Sequence, residues 1–535
     1  MSATAQVTYR TRGIVAVAAG LLLPMGGSCS VVLDFPQCVD HVDCTNVEGF
    51  ELECRNNVCV EPIPPGTISC GSDADCFGFF DDTVICAPDN TCAALTTDRC
   101  ELRIRPSDVA SDDVVYIGSI LPRTGTYTTV GAPLENAIEL AVEDFNSTVA
   151  LPNGGRVGWV ACDSQGNPAL AAEAARELME AGVTAVVGPA LSSEVIDVAN
   201  VTAPAGALLL TPTASAEILA QLADDGLVWR VNGNDASQAA AIADRIAQMD
   251  PVPERVVALV KNDLYGQGLL ESLAPRLANT LPGDGLGTLL YSDLDSFATT
   301  EALLSEYGAR VAAIFDSNPE VIVVLGSVEA RELILFYLEA WAGANPRPTL
   351  PHFIVSSEAV PMLEGIVQGV SESFRPTLMN RLEGVDHDTL DPSNYDAFEI
   401  RYDIRFSEVE AGLSAGLAYD ATMAVLLAMG GSEGTSGSQV AEGLGRLADK
   451  SGTPVSFGEG LSFVATTQQV LLSGANVDLR GVSGEIDFDL VTGDVRRNLS
   501  GFDVEGSSGG SPRIVVRRRY ELNEAPSVTG TWSDL

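Results

Sequence analysis

Positive charge is scarce in this chain. Only 30 Lys and Arg stand against 73 Asp and Glu, for a formal charge of −43 over 535 residues. A nucleic-acid partner needs a basic face, and charge-driven binding to anionic head groups needs basic clusters, so neither is expected. Histidine is scarcer, with His41, His352 and His387 alone. No H-E-x-x-H pair and no G-x-S-x-G elbow occurs, which argues against zinc-hydrolase and serine-hydrolase chemistry. Gly118–Gly131 lacks G-x-G-x-x-G spacing, so a nucleotide fold is not indicated. No enzymatic activity, cofactor or metal is expected. Beyond the first thirty residues no apolar run is long enough to span a bilayer as a helix.

What the chain does contain begins with an export signal. Arg10 and Arg12 precede the apolar run Gly13–Leu23, which is too short to span a bilayer, and Gly26-Gly27-Ser28-Cys29 follows. Residues 1–28 resemble a bacterial lipoprotein-type signal peptide, in which the cysteine takes the lipid. That resemblance implies an exported protein in the periplasm or at the outer membrane of a bacterium, touching the membrane through a lipid on Cys29 only. Simple secretion, with Cys29 in a disulfide, is the alternative.

The 11 cysteines are odd in number, and setting Cys29 aside leaves ten. Eight fall into two blocks, Cys38, Cys44, Cys54, Cys59 and Cys70, Cys76, Cys86, Cys92. The second block repeats the first with one residue added. Evenly repeated cysteines in an exported segment read as a disulfide framework, with three possible pairings per block. Zinc is the weaker reading, since no C-x2-C spacing occurs. Cys100 and Cys162 remain. Residues 29–100 thus form a Cys-rich module of two four-Cys repeats, with few aliphatic residues, where bridges must replace a core. It serves as a spacer or, alternatively, as an interaction module.

From Asp112 onward the texture is α/β. Val114–Leu121 reads as a buried strand, and Leu134–Phe145 shows helical spacing. Strands and helices then alternate about every twenty residues, which predicts parallel sheets covered on both faces. A second series starts near Gly233. Two stretches stand out, Val183–Val187 running into GPALSS and Ala207–Leu210 running into TPTAS. Both put small hydroxyl residues at the carboxyl end of a strand and the start of a helix, where open α/β sheets bind ligands and anions.

The motifs IGSILPRTGTYTTVG (117–131), CDSQGNP (162–168), GVTAVVGPALSS (182–193), TPTAS (211–215), NDLYGQG (262–268), YDATMAVLLAM (419–429) and GVSGEIDFDLVTGD (481–494) occur in an order that carries a family likeness. The chain resembles the type I periplasmic binding proteins of the branched-chain amino-acid (Leu/Ile/Val) class and the ligand-binding region of amino-acid receptors. The resemblance implies two doubly wound α/β lobes joined by three crossovers, closing by a hinge on a ligand in the cleft. Lobe 1 would comprise 113–232 plus 381–475, and lobe 2 would comprise 233–380 plus 476–535. Carried over, Ser192 with Ser193, and Thr213, Ala214 and Ser215, would grip an amino acid's backbone groups. Tyr265 would face them from lobe 2. An acidic residue for the ligand ammonium falls on Glu358 or, without an insertion, Ser357 takes the place. Asp235 lies at a crossover and lines the cleft. Val130 and Val328 stand where relatives carry pocket aromatics, so branched-chain specificity does not follow. Leu191 replaces a familiar cysteine, which frees Cys162 to bridge Cys100. Helix capping by Ser192 and Ser215, core packing by Tyr265 and a solvated or N-cap carboxylate at Glu358 are the structural alternatives. The implied function is a solute-binding lipoprotein carrying an amino acid or similar small polar ligand to an ABC-type permease. The alternative is a sensor or adaptor with the Cys-rich module as its partner contact.

Overall fold

The computed structural model describes residues 66–535, apart from 78–79, 81–82, 283–284, 389–391, 413, 433, 507–510 and 524–527, together with two short strands. The chain divides into two units at Pro64/Pro65. In the first, strands Glu53–Arg55 and Val58–Val60 pair antiparallel, with Cys54 opposite Cys59. The signal, Cys29, Cys38, His41 and Cys44 lie outside the described residues.

The second unit opens with the second Cys repeat, a helix Asp73–Phe77 and a hairpin, Val84–Cys86 with Cys92–Ala94. Its bridges are Cys70–Cys86 and Cys76–Cys92, which settles the pairing that spacing leaves open. These thiols are consumed and cannot serve as zinc ligands. This repeat is not a free stalk. Ile85 and Leu95 join the core of the first lobe, and Pro88 sits where a Cβ on Gly182 would fall, 2.3 Å away. Strand Cys100–Ile104 then pairs antiparallel with Arg156–Asp163, and Cys100 is bridged to Cys162 as expected.

The first lobe is built on a six-stranded sheet in the order Val228–Arg230, Leu208–Thr211, Ala185–Val187, Val114–Leu121, Arg156–Asp163, Cys100–Ile104. All but the last are parallel. Near-continuous apolar runs such as VVYIGSIL suit strands buried on both faces, and two core clusters lie against this sheet. Helix Ala415–Gly430 is buried all round, as its mostly apolar sequence requires, and its buried Asp420 accepts the amides of Val482 and Ser483.

The second lobe carries eight strands. Leu286–Tyr291, Val256–Lys261, Val321–Leu325, His352–Val355 and Leu382–His387 are parallel; Leu499–Glu505, Arg513–Leu522 and Gly530–Asp534 continue the sheet antiparallel. Two stretches differ from the expected division. Leu382–His387 pairs with Phe353–Val355 and so belongs to lobe 2, not lobe 1. Conversely, Val477–Gly481 pairs with Thr453–Ser456, and Ile486, Phe488 and Val495 enter the first lobe's core. Within the motif 481–494, Gly484–Glu485 is a short strand. The crossovers therefore fall near 231–235, after His387 and near 496–498. They are packed against one another: the Arg497 guanidinium donates to the Val231 carbonyl at 2.6 Å and to the Ser483 carbonyl at 2.5 Å.

Candidate functional site

The two turns singled out in the sequence meet at the carboxyl edge of the first sheet. Gly188 follows strand Ala185–Val187 at φ +114°, and a Cβ there would lie 2.3 Å from the Ile120 carbonyl oxygen, so only glycine fits. The turn then delivers Ser192 to the start of helix Ser192–Thr202. Ser192 does not cap its own helix. Its hydroxyl is buried and accepts the amides of Ser215 and Ala216, both at 3.2 Å. Thr211 and Thr213 donate their hydroxyls to the carbonyls of Pro189 (2.6 Å) and Ala190 (2.7 Å). The Thr213 carbonyl accepts the Asn232 amide at 2.8 Å. These bonds lace the turns into one rigid edge. Ala214 is buried within it, and Ser193 stays half-buried beside Ser192. The Ser215 hydroxyl, 1% exposed, has no hydrogen-bond partner.

The chain returns to this edge at the crossover. Asp235 opens helix Asp235–Ala247, and its amide donates to the Ser215 carbonyl at 2.9 Å. Its carboxylate is fully buried, and that burial pushes its pKa up to about 7 against the opposing pull of the nearby Ser215 hydroxyl and of Arg230. One turn along that helix, Gln238 accepts the Tyr265 hydroxyl at 3.2 Å; Ser357 Oγ stands 2.9 Å from the same hydroxyl. Tyr265 is thus at once buried and tied to the site. The Glu358 carboxylate accepts the Ser327 hydroxyl at 2.7 Å, and burial raises its pKa to about 8. Ser192, Ser215, Asp235, Tyr265, Ser357 and Glu358 are therefore brought close together. Val130 sits on helix Thr128–Thr148 against the first lobe's core, and Val328 is half-buried just before helix Glu329–Gly343.

Sequence reading missed a polar junction between the lobes. Lys261, last residue of strand Val256–Lys261, places its ammonium 2.7 Å from the Tyr127 hydroxyl of the first lobe. Glu329 and Asp293 are each 3.0 Å from the same ammonium, and Asp263 is at 3.3 Å. Tyr127 also bonds Asp293 and, at 3.1 Å, Glu329. Burial alone would pull the Lys261 pKa down; Glu329, Asp263, Tyr127 and Asp293 outweigh it and hold it well above the ordinary value. The available signal was a lysine ending the otherwise apolar run VVALVK. Glu194, two residues after Ser192, was missed as well. It is fully buried, with its pKa raised to about 7 by that burial.

Chemically, this edge offers an unsatisfied hydroxyl, two helix starts and nearby carboxylates, the groups that a small zwitterion or cation needs. Residues 114–342 match the family model described as periplasmic binding protein. Over 165 residues the chain is 32% identical to the Leu/Ile/Val-binding protein BraC3 of Rhizobium johnstonii, covering 30% of this chain and 44% of that protein. Over 252 residues it is 28% identical to the Leu/Ile/Val-binding protein homolog 3 of Brucella melitensis, covering 44% of this chain and 66% of that one. Among solved structures it is similar to a leucine binding protein LivK from Thermotoga maritima, with a TM-score of 0.57 at 20% identity, covering 75% of this chain and 98% of that one. At that identity the likeness is one of fold.

Proposed function

We propose that this chain, whose residues 114–342 match the periplasmic binding protein family model, is an extracytoplasmic solute-binding protein that captures an amino acid or similar small polar ligand between its lobes. The observation that carries this reading is the convergence of Ser215 and Asp235 with Tyr265 and Glu358 from the second lobe. Ser215 Oγ supplies a hydroxyl to the ligand, Glu358 accepts its ammonium, and Tyr265 braces the second wall. Ser192 and Thr213 hold the turns in register, while Ser193 and Ala214 border the ligand from the first lobe. Val130 and Val328 shape the side-chain pocket. The Leu/Ile/Val-binding relatives support a ligand of this class. Delivery would be to an ABC-type permease, and export would end with a lipid on Cys29.

A thermal-shift panel of amino acids, short amides and aromatic acids tests binding, since a ligand that binds the folded state raises the melting temperature. At least one should stabilise the protein, and Ser215→Ala should weaken that effect. A panel without any shift would remove the reading. Cys29→Ser should release the protein from membranes; a variant that stays membrane-bound would rule out the anchor.

A further inference from the structure

The site holds two carboxyl groups, and a single ammonium would engage only one of them. Asp235 is fully buried with no cation paired to it, the nearby Ser215 hydroxyl easing its charge, and the half-buried Glu358 has only the Ser327 hydroxyl. Among the described residues, neither forms an ion pair with Lys or Arg. The nearby cations are committed: Lys261 to Glu329, Asp293 and Asp263, and Arg230 to Asp494 and the Ala216 carbonyl. Leaving a carboxylate desolvated and unpaired is costly, so a buried one waiting for a cation marks a binding group more readily than a structural one.

The two carboxylates occupy different sides of one place. Asp235 and Gln238 lie three residues apart on one helix, hence on one face. Gln238 holds the Tyr265 hydroxyl, which also meets Ser357, the neighbour of Glu358. Asp235 and Glu358 therefore flank Tyr265, and the charges of both act on its phenol. Beside Asp235 stands the Ser215 hydroxyl, buried and unpartnered.

We propose that the cleft selects a ligand with two separated positive charges, one answered by Glu358 and the other by Asp235, as in a dibasic amino acid or a diamine. This rests on the solute-binding reading and narrows its ligand class. A neutral amino acid would satisfy Glu358 and leave Asp235 desolvated or force it to take up a proton. A second cationic group removes that penalty, and so the empty carboxylate discriminates against singly charged competitors. A dibasic amino acid would also bring a carboxylate to the Ser215 hydroxyl; a diamine would use that oxygen as an acceptor.

The test is calorimetry and thermal shift at pH 7.5 on the full chain, with L-lysine, L-arginine, putrescine and L-leucine as probes. At least one dication should bind about tenfold or more tightly than leucine, since a buried charge pair strongly affects affinity. Asp235→Asn should abolish that preference while the ligand-free variant keeps or raises its melting temperature. Lysine above putrescine identifies an amino-acid ligand, and the reverse a diamine; both support the proposal. Leucine binding as tightly as every dication, or a preference that survives Asp235→Asn, overturns the proposal and leaves the solute-binding reading standing. No binding by any probe overturns the proposal too, and the wider panel then judges the parent reading. Should Asp235→Asn not fold, the wild-type ranking of the four probes decides.

Discussion

The ammonium of Lys261 lies 2.7 Å from the hydroxyl of Tyr127 and 4.9 Å from its ring centroid, joining a strand end of the second lobe to the first lobe. Three carboxylates surround that ammonium, and the tyrosine hydroxyl completes the cluster. Each partner has a distinct job. Glu329, Asp293 and Asp263 neutralise the buried lysine, while Tyr127 reaches the same cluster from the first lobe.

Removing the two sides should therefore have unequal effects. Tyr127→Phe deletes hydrogen bonds to charged groups and should cost about 1.5–3 kcal/mol in denaturant titration. It should also shift scattering profiles toward a more open pair of lobes. Lys261→Met strands fully desolvated Glu329 and should cost more, about 3–5 kcal/mol. Equal losses for both would show that the lysine cage and the lobe contact are not separable.

Asp235 makes a pH prediction with a definite sign. Its folded pKa is raised from 3.8 to about 7, chiefly by burial. Its contribution to stability is therefore fully present below about 3.8 and lost as pH rises through about 7. His387 works in the opposite sense, since burial lowers its pKa to about 4 and its contribution is lost as pH falls from 6.5. The comparison with Asp235→Asn cancels His387 and the other groups. Without ligand, the variant should gain on the wild type between pH 4.5 and pH 7.5, by about 1.4 kcal/mol for each unit of pKa shift. Parallel melting-temperature profiles would show that Asp235 is not the titrating group.

Much of the fold was legible in strands such as Val114–Leu121 and Val321–Leu325, because burial on both faces leaves an unbroken apolar run. Leu382–His387 was not, because LEGVDH holds two charged residues and a histidine. Glu383 is buried there only because His352, Arg245 and Arg518 meet it from distant segments; burial would raise its pKa, but those partners hold it near 2. The site shows the same limit. Hydroxyls in the two turns were visible as motifs, but their use was not: Ser192 is spent on binding one turn to the other, whereas Ser215 is left free. The lobe junction pairs residues 134 positions apart, and no local pattern reports that.

The Cys100–Cys162 bridge closes a loop of 62 residues and fastens the strand that follows the Cys-rich repeat to the edge of the first sheet. In the chain-entropy view a loop of that size is worth about 4 kcal/mol. The double substitution Cys100→Ser, Cys162→Ser should lose about that much, read by chemical denaturation. Limited proteolysis should cut first between residues 66 and 105, because the edge strand then keeps only its ladder, the packing of Ile85 and Leu95 and ion pairs such as Arg103–Glu139. Resistance equal to the wild type would mean that Ile85 and Leu95 hold the repeat without the bridge.

The crossovers supply the last test, because one glycine governs how closely they pass. A Cβ on Gly233 would fall 2.1 Å from the His387 ring, and that imidazole is fully buried with Nε2 3.1 Å from the Asn234 carbonyl. Neither segment can retreat easily, since Arg497 ties the neighbouring Val231 carbonyl to Ser483. Gly233→Ala should therefore cost about 1–3 kcal/mol by overpacking. His387→Ala alone opens a cavity and should also destabilise. Together the two changes relieve each other, so the double variant should lose less than the sum, with a coupling of about 0.5–3 kcal/mol. Strict additivity would mean that the first and second crossovers do not bear on one another. Because any closing of the lobes must bend these same segments, the single Gly233→Ala change should also alter ligand affinity without touching Ser215, Tyr265 or Glu358, and calorimetry with whichever ligand the panel yields would measure it.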